Sequence, residues 1–268
     1  MSEYFKRVIK VRTHNTTWTN DKLHIEFEVP FDDDHEPNRS TIRIYNLSHD
    51  SRAKFKRGNR LVLNAGYEGD VGVILDGEIT RVRSEKVGPD RATIIKVLDT
   101  HGVTSKKTIK KTYKQKTNTS TIIRDLAHAI GLKLKVLDLP KDKVQKKGYN
   151  VTGNVLDAIE RLADDCGASF YFSKGYLYIR DIRKGDNTKF TLTSSTGLIG
   201  SPDIFEKSYH GKTVKGFRVD ALLQHKVSTA SILTLKCQTV VGKFRVISGK
   251  HVANKSDFQT QFDCISSK

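Results

Sequence analysis

No apolar run in this chain approaches the roughly 18 residues of a helical membrane span, which excludes an integral helical membrane protein. The N-terminal stretch MSEYFKRVIKVRTHN has no apolar core of about 7–15 residues, so no secretory signal is expected. Cysteine is scarce. Cys166, Cys237 and Cys264 are odd in number and widely spaced, with no C-x-x-C pair. That excludes a disulfide scaffold and a cysteine zinc site, and fits synthesis in a reducing cytoplasm. Five prolines argue against long disordered linkers. Acidic residues are also in deficit, 30 against 47 Lys+Arg, for a formal charge of +17 and a pI near 9.7. Such a surface is expected to meet something acidic.

The motifs of common chemistry are missing too. Gly211-Lys212-Thr213 looks like the end of a phosphate-binding loop, but Glu206 stands where that loop needs its first glycine. No G-x-G-x-x-G follows a strand, and there is no G-x-S-x-G elbow. The nine histidines are single, without an H-x-x-x-H or H-x-H pair. The run Asp32-Asp33-Asp34-His35-Glu36 lacks calcium-loop spacing and reads as a solvated loop. Cys166 falls at an expected helix C-terminus, where the helix dipole disfavours a thiolate. No catalytic, cofactor-binding or metal-binding residue is assigned, and no enzyme activity is expected. An enzyme would need a pocket of convergent titratable groups.

What is present is a β, then mixed, then β pattern over 268 residues, enough for one to three domains. Leu23–Val29 alternates apolar and polar residues as a half-buried strand does, with Pro30 expected to close it. Ser40–Leu47 reads as a second strand, and Ser48 as the N-cap of a short helix reaching Phe55 and ending near Gly58. Arg60–Tyr67, Val71–Val82 and Arg91–Asp99 follow as strands between glycine-containing turns, suggesting a barrel or sandwich.

At Ser105 the composition changes. Ser105–Lys116 carries Lys106, Lys107, Lys110, Lys111, Lys114 and Lys116 with one aromatic, Tyr113, and marks a domain boundary. Lys141, Lys143, Lys146 and Lys147 form a second cluster. A solvated loop is the first expectation for the lysine run, and contact with an acidic protein surface or passing DNA is the alternative. Thr119 or Ser120 can cap a helix over Ile122–Ile130 that ends at Gly131, before a strand at Leu132–Val136. Val155–Cys166 is a second amphipathic helix ended by Gly167, followed by a hairpin of Ala168–Phe172 and Tyr176–Arg180 around Ser173-Lys174-Gly175. The two helix–glycine–strand units repeat with a period of 36 residues, too few copies for a solenoid. Beyond Phe190 the pattern is β, with strands at Val214–Leu223, Ser231–Thr239, Gly242–Ser248 and Phe258–Ile265. The two β regions either pack together or form separate barrels.

The phrases Thr41-Ile42-Arg43-Ile44-Tyr45-Asn46-Leu47-Ser48, Leu61–Tyr67 with Gly69, and Leu75-Asp76-Gly77-Glu78-Ile79 resemble the N-terminal β domain of the central tail or baseplate hub proteins of tailed bacteriophages. Gly153-Asn154-Val155-Leu156-Asp157-Ala158, running into Leu162-Ala163 and Gly167, is similar to that family's α+β insert. Thr196-Gly197-Leu198-Ile199-Gly200-Ser201-Pro202 resembles the opening of its last domain. Val219–Leu223, Gly242–Val246, His251 and Phe258-Gln259-Thr260 then follow in the family's order. One departure is Ser228-Thr229-Ala230, where the family often has a Pro-Gly turn.

The resemblance implies a mainly β fold with an α+β insert. Two β-barrel-like, tube-type domains at 1–105 and 185–268 would flank a middle domain at 106–184. It implies a structural virion protein, a homotrimer joining the sixfold tail tube to the threefold central spike or tip and lining the channel for genome ejection. Its expected partners are the tail tube protein, the spike or tip protein, other baseplate proteins, the tape-measure protein and transiting DNA, with no cofactor. The rival reading is a basic nucleic-acid-binding protein that uses Lys106–Lys116 and binds with strong salt dependence.

Overall fold

The structure, a computed structural model, describes residues 6–33, 36–100, 107–209 and 212–267. The chain divides into two units, one of Met1–Asp32, Asn38–Asp99 and Arg183–Lys268, the other of Asp33–Pro37 and Thr100–Ile182. In chain order the first unit supplies β1 (Arg7–Thr13), β2 (Thr16–Thr19), β3 (Ile25–Asp32), β4 (Arg39–Tyr45), α1 (His49–Ala53), β5 (Arg60–Tyr67), β6 (Asp70–Val87) and β7 (Asp90–Leu98). The second unit then contributes β8 (Thr108–Tyr113), β9 (Thr117–Asn118), α2 (Thr119–Ala129), β10 (Leu134–Asp138), β11 (Val144–Gln145), β12 (Tyr149–Asn154), α3 (Val155–Asp165), β13 (Ser169–Ser173) and β14 (Tyr176–Arg180). The chain returns to the first unit with β15 (Asp186–Leu192), β16 (Leu198–Tyr209), β17 (Lys212–Leu222), β18 (Ser231–Lys236), β19 (Val241–Ala253) and β20 (Phe258–Ser266). The protein is mainly β, as its strand patterning implies.

In the first unit all strands belong to one hydrogen-bonded system of 13 strands, ordered β16-β17-β20-β19-β3-β4-β7-β6-β5-β1-β2. Off this path, β15 runs parallel to β18, which pairs in turn with β19. Two apolar cores form along it. Ile9, Val11, Trp18, Ile25, Phe27, Val29, Ile42, Ile44 and Leu61 belong to the first. Leu192, Val219, Leu233, Leu235, Val246 and Cys264 belong to the second.

Three strands supply buried residues to both cores. The inward face of β3 gives Ile25, Phe27 and Val29 to the first core and Phe31 to the second. Likewise β19 and β20 place Ala253 and Phe258 in the first, and Phe244, Val246, Phe262 and Cys264 in the second. Gly249 sits opposite Phe31 at this seam. A Cβ there would lie 2.7 Å from the Phe31 ring and 2.4 Å from the Gln261 carbonyl oxygen, so only glycine lets the strands approach.

Pro30 does not close its strand, which continues to Asp32. The ladder with β4 stops at Glu28, whereas that with β19 runs from Phe27 to Asp32. Proline falls where one flank of β3 has no partner strand, the place a sheet tolerates its missing N–H. Ser48 caps α1 through its Oγ, which accepts the Ser51 N–H. The helix stops at Ala53, and the chain turns away to seat Phe55 on Trp18, ring centroids 4.3 Å apart. At the departure from the family pattern a turn is present. The Ser231 N–H donates to the Ser228 carbonyl, and Ala230 adopts a left-handed φ of 61°.

The second unit follows its repeat. Ile122, Ile123, Leu126 and Ala127 of α2, and their counterparts 36 residues on, Ala158, Ile159, Leu162 and Ala163 of α3, fill one core. Both helices end alike. The Gly131 and Gly167 N–H groups donate to His128 and Asp164, and those of Leu132 and Ala168 to Ala127 and Ala163. This paired closure needs a left-handed residue, and the two glycines supply it at φ 77° and 72°. Strands β10 and β13 then flank β14 on either side, the first parallel and the second antiparallel. The N-terminus of α2 differs from expectation. Thr119 and Ser120 are helical, Asn118 precedes them, and the Asp142 carboxylate takes both the Ser120 N–H (2.9 Å) and its hydroxyl (2.6 Å). In α3 the cap is Asn154, whose Oδ1 accepts the Leu156 N–H.

Candidate interaction surface

The basic run is where sequence placed the one candidate site, and six of its ten described residues, Thr108–Tyr113, are strand rather than solvated loop. β8 pairs antiparallel with β12, Ile109 opposite Gly153, Lys111 opposite Val151 and Tyr113 opposite Tyr149. Alternation sends Ile109, Lys111 and Tyr113 to one face and Lys110 and Thr112 to the other. Ile109, Tyr113 and Tyr149 pack against the core of the second unit. The lysines on both faces masked this period of two.

Lysine is tolerated on the inner face because Asp125 of α2 meets it there. The Lys111 ammonium pairs with Asp125 Oδ2, the Tyr113 hydroxyl donates to the same oxygen, and Lys111 Nζ lies 5.6 Å from the centre of the Tyr113 ring. Hydrogen bonds from Lys111 and then Tyr113 hold the Asp125 carboxyl below the ordinary carboxylate range. Burial, and then the bond to Asp125, push the Tyr113 phenol up. Lys107 is also engaged, its Nζ donating to the Ile130 carbonyl at the end of α2 (3.2 Å). Lys110, Lys114 and Lys116 are exposed, and Lys106 lies outside the described residues.

The two lysine clusters of the sequence partly merge. β9 and β11 pair, with Thr117 opposite Gln145 and Asn118 opposite Val144. The Lys116 N–H donates to the Gln145 carbonyl, and both the N–H and hydroxyl of Thr119 donate to the Lys143 carbonyl. A Cβ at Gly148 would lie 2.7 Å from the Tyr113 carbonyl oxygen and 3.6 Å from the Lys114 carbonyl carbon. The turns at 114–116 and 145–148 are therefore in backbone contact. Lys114, Lys116, Lys146 and Lys147 are exposed on this pair of turns and Lys143 is exposed just before β11, while Lys141 belongs to the preceding loop.

Elsewhere the residues do not converge on chemistry. Lys212 and Thr213 stand at the start of β17, opposite Tyr209 and Ser208, with no helix following as a phosphate loop requires. Gly211 lies outside the described residues, as do Asp34 and His35 of the acidic run. Cys166 and Cys264 are buried, and burial pushes the Cys264 thiol up to about 12. Among the described residues no group of His, Cys, Asp and Glu could hold a metal, and no helix is long and apolar enough to cross a membrane.

Sequence reasoning missed one polar cluster. His225 Nε2 lies 2.8 Å from Asp70 Oδ1, and Lys226 Nζ bonds the same carboxylate. Burial opposes ionisation of Asp70, but the bonds from His225 and Lys226 outweigh it and lower its pKa. Gly72 leaves the room, since a Cβ there would strike the His225 ring. The residues are 155 apart in the chain, and only the glycine hinted at a close approach.

Residues 5–240 match the family model described as Baseplate hub gp41. Among solved structures, a tail protein from Neisseria meningitidis MC58 superposes with a TM-score of 0.69 at 11% identity, covering 98% of this chain and 97% of that one. An Escherichia coli component of the type VI secretion system, described as structurally similar to T4 tail proteins gp27 and gp5, scores 0.67 at 12% identity over 97% and 77%. The 43 kDa tail protein of prophage MuSo2 from Shewanella oneidensis scores 0.64 at 7% identity over 96% and 97%. These likenesses speak for the fold. No curated protein sequence matches the chain.

Proposed function

This chain belongs to the Baseplate hub gp41 family, a structural and non-enzymatic component of the phage virion, and from that premise we propose that it works as a homotrimeric adaptor. In this reading the β regions at 1–105 and 185–268 act as two tube-type lobes, and 106–184 as an insert. Three chains then offer six lobes to a sixfold tail tube while keeping threefold symmetry for a central spike or tip. The ring encloses a channel for the genome. The chain is made in the host cytoplasm before it joins the tail.

The observation that supports this is the pair of apolar cores in one strand system, with β3, β19 and β20 running through both. Strands shared in this way hold two lobes at a fixed angle, which a ring of alternating lobes requires. Head-to-tail contacts close into a ring when the rotation per subunit allows it. Light scattering of the purified protein at moderately high salt, where charge association is screened, tests the reading. A mass of about 90 kDa, three 30.2 kDa chains, is expected. A monomer or dimer at concentrations far above those of the assembled particle would refute self-assembly into the hub.

A further inference from the structure

The end of the second unit formed by the paired turns at 114–116 and 145–148 is dense in lysine. Between Lys114 and Asn118, and again between Lys143 and Asn150, there are five lysines and no acidic residue. None of the five ammonium groups makes an ion pair among the described residues. The neighbouring carboxylates are occupied. Asp142 is held by Ser120, and Asp125 by Lys111 and Tyr113. The backbone contacts that bring the turns together are fixed by the β9–β11 pair and by Gly148, so the charges are gathered by the fold and not by chance of a flexible run.

We propose that this lysine-bearing end binds the phosphate backbone of double-stranded DNA without sequence preference. The side chains there choose between polyanions. An interface with an acidic protein is built around apolar and aromatic anchors and is poor in lysine at its centre. Here the rings of Tyr113 and Tyr149 are packed against the core, and Val144 of β11 is the one exposed large apolar residue between Lys114 and Asn118 or Lys143 and Asn150. What faces outward is ammonium groups together with the amides of Gln115 and Asn118, the donor set of a phosphate contact. Single strands are held by stacking on exposed aromatic rings. Neither turn presents one, and this favours the duplex. Among the described residues the ladder beside the lysines, β9 with β11, is two residues long in each strand, too short to serve as a base-reading ribbon, so contacts remain with the backbone.

Each neutralised phosphate adds about −0.9 to the slope of log affinity against log salt for duplex DNA. Five contacts predict a slope near −4.5, or about 500-fold weaker binding between roughly 50 and 200 mM salt. The test uses the full chain, a short fluorescent duplex of mixed sequence, and fluorescence anisotropy across a salt series. The double variant Lys146→Gln/Lys147→Gln is expected to lower the slope by about two. A charge-matched control, Lys236→Gln/Lys255→Gln, changes exposed lysines of the first unit and leaves the slope as it was. Equal loss with both pairs would mean that only net charge acts and would overturn the site. Two further arms separate the sources of anionic charge. A single strand of the same length is expected to bind less tightly, and polyglutamate of matched charge should fail to displace the duplex. Displacement by polyglutamate, or preference for the single strand, would overturn the proposal. The inference stands apart from the hub reading, because a monomer with this salt slope would sink the trimer alone and a trimer without it would sink the DNA site alone.

Discussion

The two units are made by different rules. The second is local: helix, glycine, strand, then the same again 36 residues later, with caps and turns close to the residues they serve. The first is non-local. Its central pairing, β3 with β19, joins residues such as Phe27 and Ala253 that are separated by almost the whole chain. A repeated local unit can close its own core, whereas a sheet that threads two cores depends on every strand arriving in register. In the proposed hub the difference bears on function, since a ring of lobes would need rigid coupling between them and an insert only its own fold.

The largest expected break in this contrast is Leu162→Ala. Leu162 is fully buried on α3, and removing it should cost the second unit about 2–5 kcal/mol. Hydrogen exchange should then rise across 107–182 and leave 38–99 unchanged. Equal loss of protection in both units would show that they do not unfold separately. Gly249→Ala is the reciprocal probe. It forces a methyl against Phe31 and the Gln261 carbonyl, at a cost of about 1–3 kcal/mol confined to the first unit. It should also weaken trimer formation more than Leu162→Ala does, as judged by the concentration at which the assembly dissociates.

Gly131→Ala and Gly167→Ala sharpen the repeat itself. Nothing lies within 4 Å of a Cβ at either site, so the cost is the left-handed backbone alone, about 1–2 kcal/mol each. Denaturant unfolding should give the same loss for both, and a clear inequality would deny that the two copies are equivalent. The smallest effect is a pH dependence at Asp125. Its carboxyl is held below the ordinary range by Lys111 and Tyr113. The stability this supplies is fully present above about pH 4, the unfolded value, and is lost as pH falls through the lower folded value. The gap in urea midpoint between the native chain and Asp125→Asn should be widest near neutrality and shrink in acid. A gap independent of pH would contradict the assignment.

Legibility in the sequence followed the same division. The repeat, both terminal glycines and the Ser173-Lys174-Gly175 hairpin could be read because each is fixed by residues within a few positions. Ser48 capping α1 was readable for the same reason. In the first unit, β3 was visible from its alternation, but its extension past Pro30 depends on which flank carries a neighbour. β16 escaped notice because Gly200 and Pro202 interrupt it and Ile204 is 76% exposed on an edge strand, so neither pattern nor burial marks it. At the candidate surface the lysines themselves were evident. What could not be read was that Lys107 and Lys111 are spent on the fold, while Lys114 and Lys116 join Lys143, Lys146 and Lys147 across a strand pair. The strand character of 108–113 was hidden because charge on both faces erases the contrast on which strand recognition relies.

In the proposed hub, two coupled lobes per chain together make a ring. Electron microscopy of the purified assembly, viewed down its axis, addresses this most directly. Class averages with six peripheral lobes of two alternating shapes around a central opening are predicted. Particles with twofold symmetry, or with three lobes and no opening, would contradict it.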